Sequence, residues 1–451
     1  MRSILLYHDD IDVDDSSDPN NPRKIKYDDI VAASRRIAGS VVRTPCTKAH
    51  MSEKFGMEIY LKQEFLQFSG CFKDRGVRNT LMLLPEDQKK YGVIAASSGN
   101  HGITMSYLCT QLGIPCIIVI PTTAALNKIN KCEKFGAKVI VQGANFIEAR
   151  AHALMIGKEK KMTYINGYDH PNIIEGQGTV GIEIIEQVPA VDAILVPTGG
   201  GSLLTGIAVA AKHLKPDTEI YGIQTDKTYA MVEAFRKNER VRIEIESTIA
   251  DGLSVNTVGV NTFHTLKGTL DKMIVVKEDW VARAIMHIAE DERCVVEGAG
   301  AVSIAAIMAG LFPNLKGKKV VCVLTGGNIG MNMLSRALER GMSAEGRLVK
   351  FKVTVLDRPG GMADFCALLA GIGVMLRDTV PERAWVKGDV FSVELSVTCE
   401  TRGWEHTKEL IELVKKHFKD YYFQDMSERP DKSAITRRGP CLAPNPVCMQ
   451  K

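Results

Sequence analysis

Short apolar runs, each followed by a Gly-rich turn and a longer segment of helical spacing, recur along most of the chain. GVIAASSGN, IPCIIVIP, AKVIVQG, AILVPTGGG, EIYGIQT and KKVVCVLTGGN are near-continuously apolar, as buried strands of a sheet covered on both faces must be. With the helical segments between them they predict a parallel α/β architecture over residues 26–345. In such folds, ligand sites form outside the carboxyl ends of the strands. Residues 295–312 are the least polar stretch. They carry Glu297 and several glycines and are short for a membrane span, so they predict a buried loop and helix.

The rhythm changes after Gly346. LVKFKVTVLDRPGGMADFCALLAGIG reads as strand, turn and helix, and VMLRDTV and DVFSVELSVTCET read as two more strands. GWEHTKELIELVKKHF places Leu410, Leu413 and Val414 on one helical face, and YYFQD ends the series as an edge strand. The βαββαβ order predicts an α+β, ferredoxin-like module over residues 349–425. Residues 1–25, with six aspartates by position 18, and residues 426–451, which lack periodicity, read as flexible tails.

Composition removes several classes of function. The 451 residues are 45% hydrophobic and 24% charged, which is globular, and long enough for a large core without covalent staples. Fifty-seven Lys and Arg against 53 Asp and Glu are interspersed, leaving no nucleic-acid footprint. Eleven cysteines without CxxC pairs read as reduced thiols, so the expected location is the cytoplasm. The N-terminus resembles neither a secretory signal nor an Arg-rich transit peptide.

The candidate chemistry sits in the turns. LKQEFLQFSGCFKDRG places Lys73 at a strand-to-helix junction, with a helix expected from about Arg75. A lysine there is ordinarily a solvated charge, but apolar Phe72 and Cys71 beside it would desolvate the amine. That favours the neutral form, able to make a Schiff base. In AASSGNHG, Ser97, Ser98, Asn100 and His101 end a strand and open a helix, where exposed N–H groups suit an anion. Simple capping by Ser98 or Asn100 is the alternative. In VPTGGGSLLTG, Gly199, Gly200, Gly201, Ser202 and Leu203 could wrap a phosphate, although they match neither a Walker loop nor GxGxxG; a tight turn is the alternative. VLTGGNIG puts Thr325 at a strand end, where its hydroxyl could meet a heteroaromatic nitrogen or its own turn. Together these ask for a ligand with a phosphate, a reactive carbonyl and a ring nitrogen, and pyridoxal 5'-phosphate is that ligand.

These ordered motifs resemble the fold-type II pyridoxal-phosphate enzymes of the threonine dehydratase and serine racemase group, across roughly residues 26–342. The resemblance implies a tryptophan synthase β-like fold of two parallel-sheet α/β subdomains. It also implies that Lys73 joins the cofactor and then shuttles the Cα proton. Phe72 would pack on the ring, Asn100 would bond the ring hydroxyl and Thr325 would face the ring nitrogen, with Glu297 near the ring. Residues 199–203 would hold the phosphate. Ser97, Ser98, Asn100 and His101 would bind the substrate carboxylate, with Ser98 placed as the second base of racemases. Two residues depart from the family pattern: Cys71 and Ser202 stand where Ser and Gly are usual. Gln224 replaces an acid that helps to hold a divalent cation in racemase-like members, so no metal is expected.

The C-terminal module resembles the ACT domain, through LDRPGGMADFCALLA and CETRGWEHTKELIELV. That implies an amino-acid effector or, alternatively, an oligomerisation surface, and a homo-oligomer (dimer or tetramer). A hydroxyl facing the ring nitrogen gives a weak electron sink, which favours prompt β-elimination. The expected reaction is therefore L-threonine to 2-oxobutanoate and ammonia, with L-serine to pyruvate secondary. The alternatives are a serine racemase, a hydroxyaspartate ammonia-lyase, a regulatory protein with a decayed cofactor site and, most remotely, a nucleotide-binding oxidoreductase.

Overall fold

A computed structural model describes residue 14, residues 16–386 and residues 390–424. The expected C-terminal tail and residues 1–13 of the expected N-terminal one lie outside the described residues. The chain divides between Met331 and Asn332 into two compact units.

The first unit holds two sheets. In the larger, the strands run in the order Cys46–Lys48, Glu58–Gln63, Lys319–Leu324, Ala193–Pro197, Glu219–Thr225 and Lys272–Val276. All neighbours are parallel except the first pair. The smaller sheet is wholly parallel, in the order Lys138–Val141, Cys116–Ile120, Val93–Ala96 and Thr163–Tyr164. All six apolar runs singled out in the sequence are strands. Ala193–Pro197 and Val93–Ala96 are buried throughout, with helices on their faces. Lys138–Val141 differs from the expectation, because it is an edge strand with partly exposed residues.

Four strands escaped the pattern, among them the short Cys46–Lys48 and Thr163–Tyr164. Glu58–Gln63 carries Lys62 at a fully buried position, made tolerable by Glu183 at 2.5 Å, Gln187 at 3.0 Å and the Thr44 carbonyl at 2.7 Å. Lys272–Val276 is a short strand at the far edge. Residues 295–312 fold as expected into a loop and the buried helix Gly298–Met308. From Ser16 onward the N-terminal segment is tied down. Ser17 and Ile25 are buried, the Asn261 amide donates to the Ser16 carbonyl at 2.8 Å and the Arg23 N–H donates to Asn261 Oδ1 at 2.8 Å.

In the second unit the helix Met331–Ala344 precedes a four-stranded antiparallel sheet. Its order is Met375–Glu382, Ser392–Glu400, Leu348–Leu356 and Tyr421–Phe423. The helices Gly361–Gly371 and Trp404–His417 complete βαββαβ, the ferredoxin-like order read from the sequence. Alternate residues of the two central strands are buried, and Phe351, Leu395, Val397, Phe365, Leu410 and Val414 form a separate core. Among the described residues no helix is long and apolar enough to cross a membrane.

Candidate active site

Three parallel strands end at one place. Val93–Ala96 runs into the Ser97 turn, Ala193–Pro197 into the glycine loop, and Lys319–Leu324 into Thr325. The turn before Lys73 is stitched to the last of these: the Phe72 N–H donates to the Thr325 carbonyl at 3.0 Å, and the Gly327 N–H to the Gly70 carbonyl at 3.0 Å. Between them lies a cavity of about 190 Å³. Its lining includes Phe72 and Lys73; Ser97, Ser98, Asn100 and His101; Gly199, Gly200, Gly201, Ser202 and Leu203; and Glu297 and Thr325. Every residue proposed from the sequence is thus brought to one cavity.

Lys73 is the first residue of the helix Lys73–Leu83, two positions earlier than expected. Its Nζ donates to the Gly167 carbonyl at 3.0 Å and lies 5.2 Å over the Phe72 ring. Burial pushes the amine below the ordinary lysine value, with the nearby thiol of Cys71 and the Glu297 carboxyl pulling the other way. Cys71 is fully buried, its Sγ 3.5 Å from Thr104 Oγ1. Burial lifts its thiol to about 11, so it acts as a small neutral group, much as a serine would.

Two positions on, Arg75 anchors the same helix. It is fully buried and pairs with Glu64 at 2.7 Å and Glu183 at 2.6 Å. A charge buried this deeply is tolerated because carboxylates and the Val42 carbonyl take up its donors.

Asn100 donates from Nδ2 to Glu297 Oε1 at 2.6 Å and accepts at Oδ1 from Asn328 at 3.0 Å. Burial raises the Glu297 carboxyl above the usual range, against the pull of Lys128, whose Nζ is 4.0 Å from Oε2. That Oε2 is buried and accepts no hydrogen bond among the described residues.

The capping alternative is resolved by a residue the sequence reading did not choose. Ser97 Oγ accepts from the Gly99 and Gly102 N–H groups at 3.2 and 2.9 Å, so neither Ser98 nor Asn100 is spent on the cap. Ser98 is exposed on the cavity wall. His101 Nε2 lies 3.1 Å from the Ile165 carbonyl. A carbonyl only accepts, so Nε2 carries the proton and Nδ1 a lone pair. Burial and the neighbouring Lys73 lower this imidazole to about 3, so it is neutral. Its Nδ1 is buried without a hydrogen-bond partner among the described residues. A neutral acceptor suits a substrate amine or hydroxyl better than the carboxylate expected for it.

The glycine loop is a cradle that side chains would fill. A Cβ on Gly200 would lie 2.3 Å from the Tyr168 side chain, and Gly201 has φ of +107°. The helix Ser202–Leu214 begins directly after it. Its first N–H groups have no partner within the helix and carry the positive end of its dipole. An amine whose proton affinity burial lowers faces this anion cradle across the same cavity, beside a buried Glu297 oxygen that accepts no hydrogen bond among the described residues and a buried hydroxyl at Thr325. The residues present therefore fit a phosphate-bearing aldehyde. Gln224 has both amide ends engaged, donating to the Thr198 carbonyl and accepting from the Val232 N–H at 3.1 Å each. Among the described residues no cluster of His, Cys, Asp and Glu is arranged to hold a metal ion.

Sequence reasoning missed the loop at residues 166–168, together with Arg150 and residues 251–256, all of which line the cavity. The signal for the first was present. Asn166 Oδ1 accepts from the Tyr168 and Asp169 N–H groups at 3.1 Å each, an Asx turn placed just before Pro171 opens a helix.

Comparison with known proteins agrees with this geometry. The family model described as "Pyridoxal-phosphate dependent enzyme" matches residues 37–326. An L-threonine ammonia-lyase of Thermotoga maritima is 37% identical over 387 residues, covering 86% of this chain and 96% of that protein. Threonine deaminase isoform 2 of Solanum lycopersicum, in its processed form, superposes with a TM-score of 0.66 at 31% identity, over 71% of this chain and 95% of that one. Maize serine racemase gives a TM-score of 0.67 at 29% identity, over 71% and 99%.

Proposed function

The chain belongs to the family of pyridoxal-phosphate dependent enzymes, and from that premise we propose that it is an L-threonine ammonia-lyase, converting L-threonine to 2-oxobutanoate and ammonia and L-serine more slowly to pyruvate. The observation that carries this reading is Lys73, an amine that burial pushes below the ordinary lysine value and that faces a glycine cradle across one cavity. The name of the Thermotoga relative supports the substrate.

Residues 199–203 would hold the cofactor phosphate, Phe72 would pack on its ring, and Asn100, Glu297 and Thr325 would surround its polar edge. Bound there, pyridoxal phosphate supplies an aldehyde that links to amines and a ring that draws electrons from Cα. Lys73 Nζ, its proton affinity lowered by burial, would take the Cα proton. The helix start at Asn100, with Ser97 and Ser98, orients the substrate carboxylate. Neutral His101 accepts at Nδ1 from the substrate and adds no competing positive charge. The β-hydroxyl and the proton taken from Cα leave together as one water, and hydrolysis then returns one water, giving the 2-oxo acid and ammonia, which balances the atoms of L-threonine.

Exposure of Ser98 on the cavity wall supports racemisation of serine as a second activity. The C-terminal unit would act as an ACT-like module that binds an amino-acid effector in a dimer or tetramer. The βαββαβ order and the Gly360 turn before the helix Gly361–Gly371 support that role.

The test is 2-oxo acid production from L-threonine and L-serine, with Lys73→Ala as the control. We expect rapid 2-oxobutanoate formation, lost in the variant while its far-UV circular dichroism is retained. Turnover surviving in Lys73→Ala would remove the lysine from the reaction. Absence of 2-oxo acid from the parent would remove the lyase reading.

A further inference from the structure

The carbonyl of Gly200, in the middle of the glycine cradle, is held by two donors. Thr262 Oγ1 donates to it at 2.9 Å and the Gly259 N–H at 3.2 Å. Both belong to the start of the helix Val260–Leu266, are buried, and lie outside the lining of the cavity. That helix start is itself anchored by buried Asp169. Its Oδ2 accepts from the Val260 N–H at 2.8 Å and its Oδ1 from the Thr262 N–H at 3.1 Å. A Cβ on Gly259 would lie 2.1 Å from Oδ1, so glycine is what admits the carboxylate this closely. By contrast, the N–H groups of residues 199–203 donate to nothing among the described residues.

Resting on the assignment of residues 199–203 to the cofactor phosphate, we propose that Thr262 is a positioning residue for that cradle: its hydroxyl pins the Gly200 carbonyl and so aims the Gly201 N–H at the phosphate. A trans peptide unit is planar, with its C=O and N–H pointing in opposite directions. Holding the Gly200 carbonyl against residues behind the cavity wall therefore turns the Gly201 N–H into the cavity. A peptide unit between two glycines needs such a pin, because it can flip at little steric cost. Flipped, it would present a carbonyl oxygen to an anion. The flip would also leave the buried Gly259 N–H without its acceptor and take from the Thr262 hydroxyl its nearer one. Asp169, by holding the Thr262 N–H, keeps the hydroxyl in register with the loop.

Titration of the full-length apoenzyme with pyridoxal 5'-phosphate and with pyridoxal tests this, since pyridoxal has the same aldehyde and ring but no phosphate. Thr262→Val keeps the size of the side chain and removes the donor, and Thr262→Ser keeps the donor. We expect Thr262→Val to weaken pyridoxal phosphate by about tenfold or more while pyridoxal binds as in the parent. Thr262→Ser should match the parent for both compounds. Thr262→Ala, too small to crowd the carbonyl, should repeat the selective loss and serves if the valine variant does not fold. Equal weakening of both compounds would make Thr262 a structural residue and overturn the proposal, as would unchanged affinity for pyridoxal phosphate. If the parent itself binds pyridoxal as tightly as pyridoxal phosphate, the assignment of the cradle falls, and the proposal with it. None of these readouts depends on which amino acid is turned over.

Discussion

The imidazole of His101 is held neutral by two features: a carbonyl at 3.1 Å that fixes its proton on Nε2, and burial beside Lys73. Its proton affinity drops from 6.5 to about 3 on folding. Between those values the unfolded chain binds the proton and the folded chain does not. The stability due to this residue is therefore complete above pH 6.5 and is lost as pH falls towards 3, by about 1.4 kcal/mol per unit. Urea unfolding near pH 7 and near pH 5 should show the parent losing up to about 2 kcal/mol more than His101→Gln. Equal losses would mean that the imidazole is protonated in the folded protein. Comparing two proteins is necessary because Asp169, lifted by burial to about 7, acts in the opposite sense and cancels in the difference. The sequence identified His101 as a site residue because five unusual residues in a row exceed what a helix cap needs. It could not assign the tautomer, since that depends on a carbonyl 64 residues away. Ser97 was likewise recognised, but its division of labour with Ser98 follows from which hydroxyl points at the Gly102 N–H, and two adjacent serines look alike in sequence.

The glycine loop is built at the scale of an element, since its shape depends on the strand before it, the helix after it and the Tyr168 ring against it. Gly200→Ala would place a Cβ 2.3 Å from that ring, and overpacking of this kind costs about 1–3 kcal/mol. The expected result is pyridoxal phosphate affinity lowered by about tenfold, read by titrating the apoenzyme, with recovery in Gly200→Ala/Tyr168→Ala, where the ring is gone. Parent-like affinity in the single variant would show that the ring can yield and that the cradle is not fixed by it. The loop was legible because consecutive glycines between a buried strand and a helix are costly unless used. Glu58–Gln63 was not legible, although it is an interior strand of the larger sheet. Its Lys62 breaks the apolar run, and only the fold shows Glu183 and Gln187 waiting for that ammonium. Apolar pattern finds strands whose burial is paid for locally, and misses one whose charge is neutralised from another helix.

At the scale of the whole molecule, the change from continuous to alternating apolar pattern after Gly346 disclosed a second unit of different sheet type. It did not disclose where that unit begins. Asn332 opens it, inside the amphipathic helix Met331–Ala344 that the sequence reading had placed with residues 26–345. Within the unit, Gly346 is a closing point: its carbonyl accepts from the Thr407 hydroxyl at 2.8 Å, and the Trp404 ring packs close against its Cα. The antiparallel sheet has its own apolar core, whose central members come from both inner strands and both covering helices. A core of that kind is what independent folding requires. A fragment of residues 332–424 should therefore melt cooperatively, with a near-ultraviolet signal from Trp404 that disappears in the same transition. A fragment beginning at residue 347 keeps the apolar core but loses both the helix and the Gly346 carbonyl. It should melt at a lower temperature, with the Thr407 hydroxyl left buried without that acceptor. If the shorter fragment matched the longer one, the helix would be a connector, and the unit would begin at its first strand, as the hydrophobic pattern alone suggests. If neither melted cooperatively, the second unit would draw its stability from outside its own core.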